Sequence, residues 1–396
     1  MTGVQTCALP ILANASLTNV ELRDPAGWYN IKTVVETNAE TPNFNWSKHF
    51  EDQGLSDIES FSYAHPKFFA EMNLMLSEEP IENWKSYFRW HFANRAAAYL
   101  SSDFVNENFR FYSTTLRGTK ELRPRWKRVL RVIDAFLGEA MGQLYVERAF
   151  PPESKTRALE MVNNLIASIS DRIKGLSWMS DETKEKAQAK IAAFTPKIGY
   201  PDTWRDYSKL EIDESSYLTN ARKGRAFERR RNLDKIGQPI DKTEWGMNPQ
   251  EVNAYYNPLK NEIVFPAAIL QPPIFDGAID DAVNYGAIGA VIGHEMTHGF
   301  DDMGSQFDAD GNFNNWWTEE DRTKFDSRTE QIIKQFDNYI AIDSLHINGH
   351  LTVGENIADL GGLLVAYNAL QKALEGKPKE KIDGFTPEQR DRKSVV

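Results

Sequence analysis

The stretch Val291-Ile-Gly-His-Glu-Met-Thr-His298 sets two histidines four residues apart, with a glutamate directly after the first. On an α-helix, positions i and i+4 share a face, so His294 and His298 can direct both imidazoles at one ion while Glu295 stands alongside. The surrounding run from Ala282 to Gly299 is apolar and rich in Gly and Ala, which predicts a buried helix rather than a loop. Packing would then fix the two rings.

A second segment, Val353-Gly-Glu-Asn-Ile-Ala-Asp359, offers Glu355 and Asp359, again four apart, beside Gly361-Gly362. Catalytic zinc usually takes three protein ligands and leaves a fourth position to water, and two His plus one Glu is a recognised set. Glu355 is the expected third ligand. Zinc acidifies its bound water, so a neighbouring carboxylate can take the proton as that water attacks a carbonyl. Glu295 is the expected base. Asp359 is the expected acceptor for the second ring N–H of His294, and Asp301 for that of His298. The alternative for Asp301-Asp302 is a helix C-terminal turn that happens to be acidic, although carboxylates there oppose the helix dipole.

Other patterns are excluded by single residues. The variant H-E-x-x-H-x-x-G-x-x-H needs Gly at 301 and His at 304, where the chain has Asp and Gly. His346 and His350 also stand four apart, but Asn348-Gly349 between them predicts a turn, so both are expected in a loop. Asp308-Ala-Asp-Gly-Asn312 has Phe313 where a calcium loop needs its glycine, which leaves a tight turn.

Upstream, Glu251 to Tyr256, a Pro-Leu-Lys-Asn turn and Glu262 to Phe265 predict a hairpin whose edge an extended peptide could join as a strand. Earlier still, apolar residues recur at three and four over 81–100, 104–116, 125–147, 154–176, 181–194 and 217–233, which predicts successive amphipathic helices. A further helix is expected over 318–339. Turn clusters are expected at Pro196-Lys-Ile-Gly-Tyr-Pro201 and near Gly237. The fold class is therefore mainly α with a small β hairpin or sheet. The expected division is a mainly helical region over 12–246 and a zinc-binding region over 247–390. Residues 1–11 and 391–396 are expected to be non-native tails.

With 396 residues, 41% of them hydrophobic, the chain can build a large core. A formal charge of −11 disfavours nucleic acid and anionic membranes as partners, and no run is long enough to span a bilayer. The basic run Arg222 to Arg231 is expected to be a solvated helix face. Cys7 is the sole cysteine, so the body offers no thiolate to a metal and tolerates either redox compartment, leaving localisation open.

Six ordered motifs closely resemble the neprilysin and endothelin-converting-enzyme family of zinc endopeptidases, in particular its bacterial, oligopeptidase-like members. They are Gly142 to Phe150, Ile198 to Asp202, Asn253-Ala-Tyr-Tyr256, Ile263-Val-Phe-Pro266 with Ile269 to Pro273, Val291 to Asp302, and Gly354 to Gly362. The resemblance implies a thermolysin-like zincin lobe and a helical cap lobe around a chamber for short peptides. It implies one zinc ion on His294, His298 and Glu355, with Glu295 as base and Asp359 in the catalytic set. It further implies that Asn253 and Ala254 bind substrate backbone, and that Ile269, Ile274 and Val291 line an apolar pocket for the residue after the cleaved bond. Ala290 is smaller than the methionine of some members. The family's oxyanion-stabilising histidine and a substrate-binding arginine would lie past Arg390. The expectation is thus an oligopeptide hydrolase, or alternatively a zinc- and peptide-binding chain impaired in catalysis.

Overall fold

The computed structural model describes residues 18–394, so the expected tail 1–11 and residues 395 and 396 lie outside the described residues. Helices of eight residues or more are α1 (Pro66–Glu78), α2 (Ile81–Ala96), α3 (Ser102–Phe109), α4 (Arg125–Ala149), α5 (Pro152–Lys174), α6 (Asp181–Ala192), α7 (Tyr217–Leu233), α8 (Ala290–Thr297), α9 (Glu319–Asp337), α10 (Gly349–Ala373) and α11 (Pro387–Ser394). The strands are β1 (Ile31–Thr33), β2 (Ser60–Ser62), β3 (Thr195–Gly199), β4 (Tyr255–Asn257), β5 (Glu262–Pro266), β6 (Ile340–Ile342) and β7 (Leu345–His346). The fold is mainly helical with small sheets. None of the described helices is long and apolar enough to cross a membrane.

The chain forms two compact units that interleave in sequence. One holds residues through Leu137 together with Asp206–Pro239, and the other holds Gly138–Arg205 together with Ile240 onward. Helix α4 leaves helical geometry at Leu137 (φ −132°, ψ 29°), the residue where the first unit's share of it ends. In the first unit, β1 and β2 pair antiparallel, and Trp46 is packed among Phe61, Tyr63 and Phe69 with ring centroids 5.1 to 5.7 Å away. Helix α7 meets α4 at Gly224, where a Cβ would stand 2.6 Å from Phe136.

The second unit is built on α5. Its buried Ala158, Met161, Val162, Leu165, Ile169 and Ile173 recur at three and four, one apolar stripe of a helix. Ser168 in that stripe donates to the Val365 carbonyl of α10 at 2.8 Å. The sheet order is β3-β5-β4, with β3 parallel and β4 antiparallel to the wholly buried central β5. Central burial leaves Glu262 needing a counter-charge, which Lys197 on β3 supplies at 2.5 Å.

Several expectations are corrected. The turn cluster at Pro196 is instead β3; as an edge strand it tolerates the proline that a central strand would not. The hairpin is shorter, its first arm pairing only from Tyr255. The helix expected over 282–299 is broken into a turn of helix at Asp281–Asn284, a π-turn at Tyr285–Gly289, α8, and a 3-10 turn at His298–Phe300. A Cβ at Gly286 would lie 2.2 Å from the Asp391 carbonyl, so close backbone approach accompanies the π-turn. The helix expected over 104–116 likewise ends in a π-turn from Arg110. Asn348-Gly349 starts α10 rather than breaking it: the Asn348 side chain caps the Leu351 amide, which puts His350 in a helix.

Candidate zinc centre

Helix α8 carries His294 in its last turn, and His298 follows in the 3-10 turn that closes it. Their Nε2 atoms face each other at 2.9 Å. Glu355, in the second turn of α10, puts Oε2 3.3 Å from the His294 Nε2 and 3.6 Å from that of His298. Each ring's other nitrogen is held by a carboxylate: His294 Nδ1 by Asp359 at 2.8 Å and His298 Nδ1 by Asp301 at 2.7 Å. Carboxylates accept, so both Nδ1 atoms carry the proton and both Nε2 atoms present lone pairs. Three ligand atoms then lie within 4.8 Å of one another. A cation at their centre would satisfy all three, and two imidazoles with one carboxylate suit zinc. The residues fit the ion.

Backbone contact sets how closely the two helices approach. A Cβ at Gly293 would stand 2.5 Å from the Gly362 carbonyl oxygen, and one at Gly362 would stand 2.4 Å from the His294 nitrogen. Gly361 faces Thr297, whose methyl carbon lies 2.5 Å from the site of a Cβ. Gly362 follows Glu355 by two turns and Asp359 by one, on the same face of α10. Sequence reading did not assign these glycines a role, although their place beside the motifs was a signal.

Glu295 is buried, at 7% exposure, whereas the Glu355 and Asp359 side chains are largely open to solvent. Burial raises the Glu295 carboxyl above its ordinary value, opposed by the charges of His298 and His294 and by the nearby Tyr256 amide. That amide comes from β4 and was not foreseen, since a backbone donor leaves no mark in sequence. Burial pulls the His298 imidazolium down, but Asp301, Glu295 and Glu355 outweigh it and the net direction is up. Asp301 is itself buried and also accepts from the Met303 and Gly304 amides at 2.9 and 2.7 Å, the fold of a tight turn.

Among the proposed substrate contacts, Ala254 is buried and Asn253 is exposed, both just before β4. Ile269 belongs to the second unit's apolar core, and Ile274 and Val291 pack against it. His346 faces the Asp337 carbonyl at 2.8 Å, and among the described residues neither it nor His350 joins a metal-suited group. The Asp308 side chain accepts from the Asp310 and Asn312 amides and Gly311 has φ +85°, a tight turn.

Two sequence models of peptidase family M13 match the chain, one over residues 11–201 and one over 253–392. Neprilysin-11 of Caenorhabditis elegans is 35% identical, the match covering 93% of this chain and 45% of that protein. Endothelin-converting enzyme 1 of Rattus norvegicus is 31% identical, covering 94% of this chain and 50% of its own length. The chain spans about half the length of these curated relatives. Among solved structures, the inhibitor-bound zinc metalloprotease Zmp1 of Mycobacterium tuberculosis superposes with a TM-score of 0.93 at 41% identity, covering 99% of this chain and 61% of that one. PepO of Lactobacillus rhamnosis superposes with a TM-score of 0.84 at 27% identity, covering 99% and 64%.

Proposed function

Because the chain belongs to peptidase family M13, we propose that it is a zinc-dependent endopeptidase that hydrolyses internal bonds of short peptides. The observation that carries this reading is the convergence of His294 Nε2, His298 Nε2 and Glu355 Oε2 on one point. These three residues would hold zinc. When bound, the ion supplies the Lewis acidity that makes water a nucleophile near neutral pH.

The chain's own residues do the rest. Glu295 takes the proton from the attacking water and returns it to the leaving amine; its burial raises its proton affinity towards that task. Asp359 and Asp301 accept the Nδ1 protons, which keeps both Nε2 lone pairs directed at the metal. Among the described residues only β5 pairs with strand β4, and an extended substrate would align along its other edge after contacts with Asn253 and Ala254. Ile269, Ile274 and Val291 would favour an apolar side chain after the scissile bond.

Glu295→Gln tests the assignment of the base. Zinc content should be unchanged, while cleavage of a fluorogenic peptide falls by roughly a hundredfold to ten-thousandfold. Retained cleavage would move the base elsewhere. A second reading, zinc and peptide binding with impaired turnover, would keep the same three zinc-holding residues. Stoichiometric zinc without hydrolysis by the unaltered chain selects that reading.

A further inference from the structure

Lys190 sits in the last turn of α6, and its exposure is 1%. Its ammonium donates to two backbone carbonyls, Gly304 and Phe307, both at 2.7 Å. Rings of Phe300, Tyr256 and Trp316 surround it at 5.6 to 5.9 Å from their centroids. Burial pulls its pKa down to about 7, against the opposing charges of Asp301 and Asp308. A buried cation is costly unless something needs it.

What needs it is the turn that follows the second histidine. Asp301 grips that turn from one side through the Met303 and Gly304 amides, and it grips His298 through Nδ1. Lys190 grips the same turn from the other side through the Gly304 and Phe307 carbonyls. Gly304 therefore lies in both sets of bonds. A Cβ there would meet the His298 carbonyl oxygen at 1.8 Å, so the turn has no slack against the metal-binding segment. Phe300 ends that segment, and its ring and that of Tyr256 on β4 both face the ammonium.

We infer that Lys190 is a positioning residue for the zinc centre: it clamps the 304–307 turn and balances the buried charge of Asp301, and through Asp301 it orients His298. This inference rests on the proposed zinc reading. Lys190 touches neither the metal position nor substrate, so its effect is expected in metal affinity and through Asp301.

The test is a double-mutant cycle read as zinc affinity, by competition with a chromophoric chelator on the intact chain. Lys190→Met keeps the length of the side chain and removes the charge; it should weaken zinc by about tenfold to a hundredfold, the range seen when outer partners of metal ligands are lost. Asp301→Asn should weaken zinc similarly, and the double variant should be little worse than Asp301→Asn alone, since one route is cut twice. Leu165→Ala, a fully buried core truncation in the same unit, should lower the unfolding midpoint yet leave zinc affinity unchanged. Lys190→Gln, which can still donate to one carbonyl, should fall between the wild type and Lys190→Met, and it serves if the methionine variant does not fold. Wild-type zinc affinity in the lysine variants, or additive losses in the cycle, overturns the inference and leaves the zinc reading standing. A wild-type chain that takes up no zinc overturns both.

Discussion

At the residue scale, the partners of each titrating group decide what it does. Glu295 and Asp321 are both buried carboxylates, yet they move in opposite directions. Burial is the largest influence on Glu295 and raises it, against the nearby histidine charges. Burial alone would raise Asp321 too, but Ser180 donates through its hydroxyl and its amide, Thr183 donates through its hydroxyl at 2.6 Å, and the carboxyl is held at about 2. A carboxyl depressed on folding contributes stability that is complete above its unfolded value of 3.8 and is lost as pH falls through the folded value. Asp321→Asn should therefore unfold at lower urea than wild type at neutral pH, with the gap closing between about pH 4 and pH 2. A gap of constant size across that range would assign the stabilisation to shape rather than charge. Single residues also mark the limit of sequence reading. His294, Glu295 and His298 declare themselves because helix periodicity brings i and i+4 together. Lys190 does not, since Asp181-Glu-Thr-Lys-Glu-Lys-Ala-Gln-Ala-Lys190 reads as a solvated lysine-rich helix and its carbonyl partners lie more than a hundred residues away.

At the scale of elements, the site is a crossing of α8 and α10 fixed by glycines. A methyl group at Gly362 would need its neighbours to retreat by about 1 Å to reach ordinary contact, several times the tolerance of about 0.2 Å on a metal–ligand bond. Gly362→Ala should cost zinc affinity more than tenfold, whereas Gly142→Ala, equally tight against Pro249 at 2.6 Å, should cost stability alone. Equal zinc affinity in the two variants would deny the crossing its role. Helix α7 was legible to the residue, because Tyr217, Leu218, Ala221, Gly224 and Phe227 recur at three and four; the structure adds a cap from Ser216. Strand β3 was not, because Pro196 and Gly199 read as a turn, and only pairing with β5, more than sixty residues on, makes them a strand. The π-turn before α8 was equally hidden: Tyr-Gly-Ala-Ile-Gly has the composition of a buried helix, and the close approach of the Asp391 carbonyl comes from the far end of the chain.

At the scale of the whole molecule, every residue of the proposed centre belongs to the unit formed by Gly138–Arg205 and Ile240 onward. A ligand that binds only the folded state stabilises by mass action, about 2.7 kcal/mol at a hundredfold excess over its dissociation constant. Zinc should therefore raise the unfolding temperature of that unit, and a chelator should lower it, while the transition of the other unit stays in place. A uniform shift of one transition would show that the units unfold together. Family membership and peptidase class were accessible from six motifs in order, whereas the interleaving of the units was not visible as any single composition break. The proposed chemistry requires that two imidazoles and one carboxylate share one ion. X-ray absorption at the zinc edge of the loaded chain measures this directly. One zinc per chain with two imidazole nitrogens at about 2.0 to 2.1 Å, oxygen in the remaining positions and no sulfur is the expected result, with one oxygen lost or replaced in Glu355→Ala. A spectrum with one imidazole or none, or one unaltered by Glu355→Ala, would contradict it.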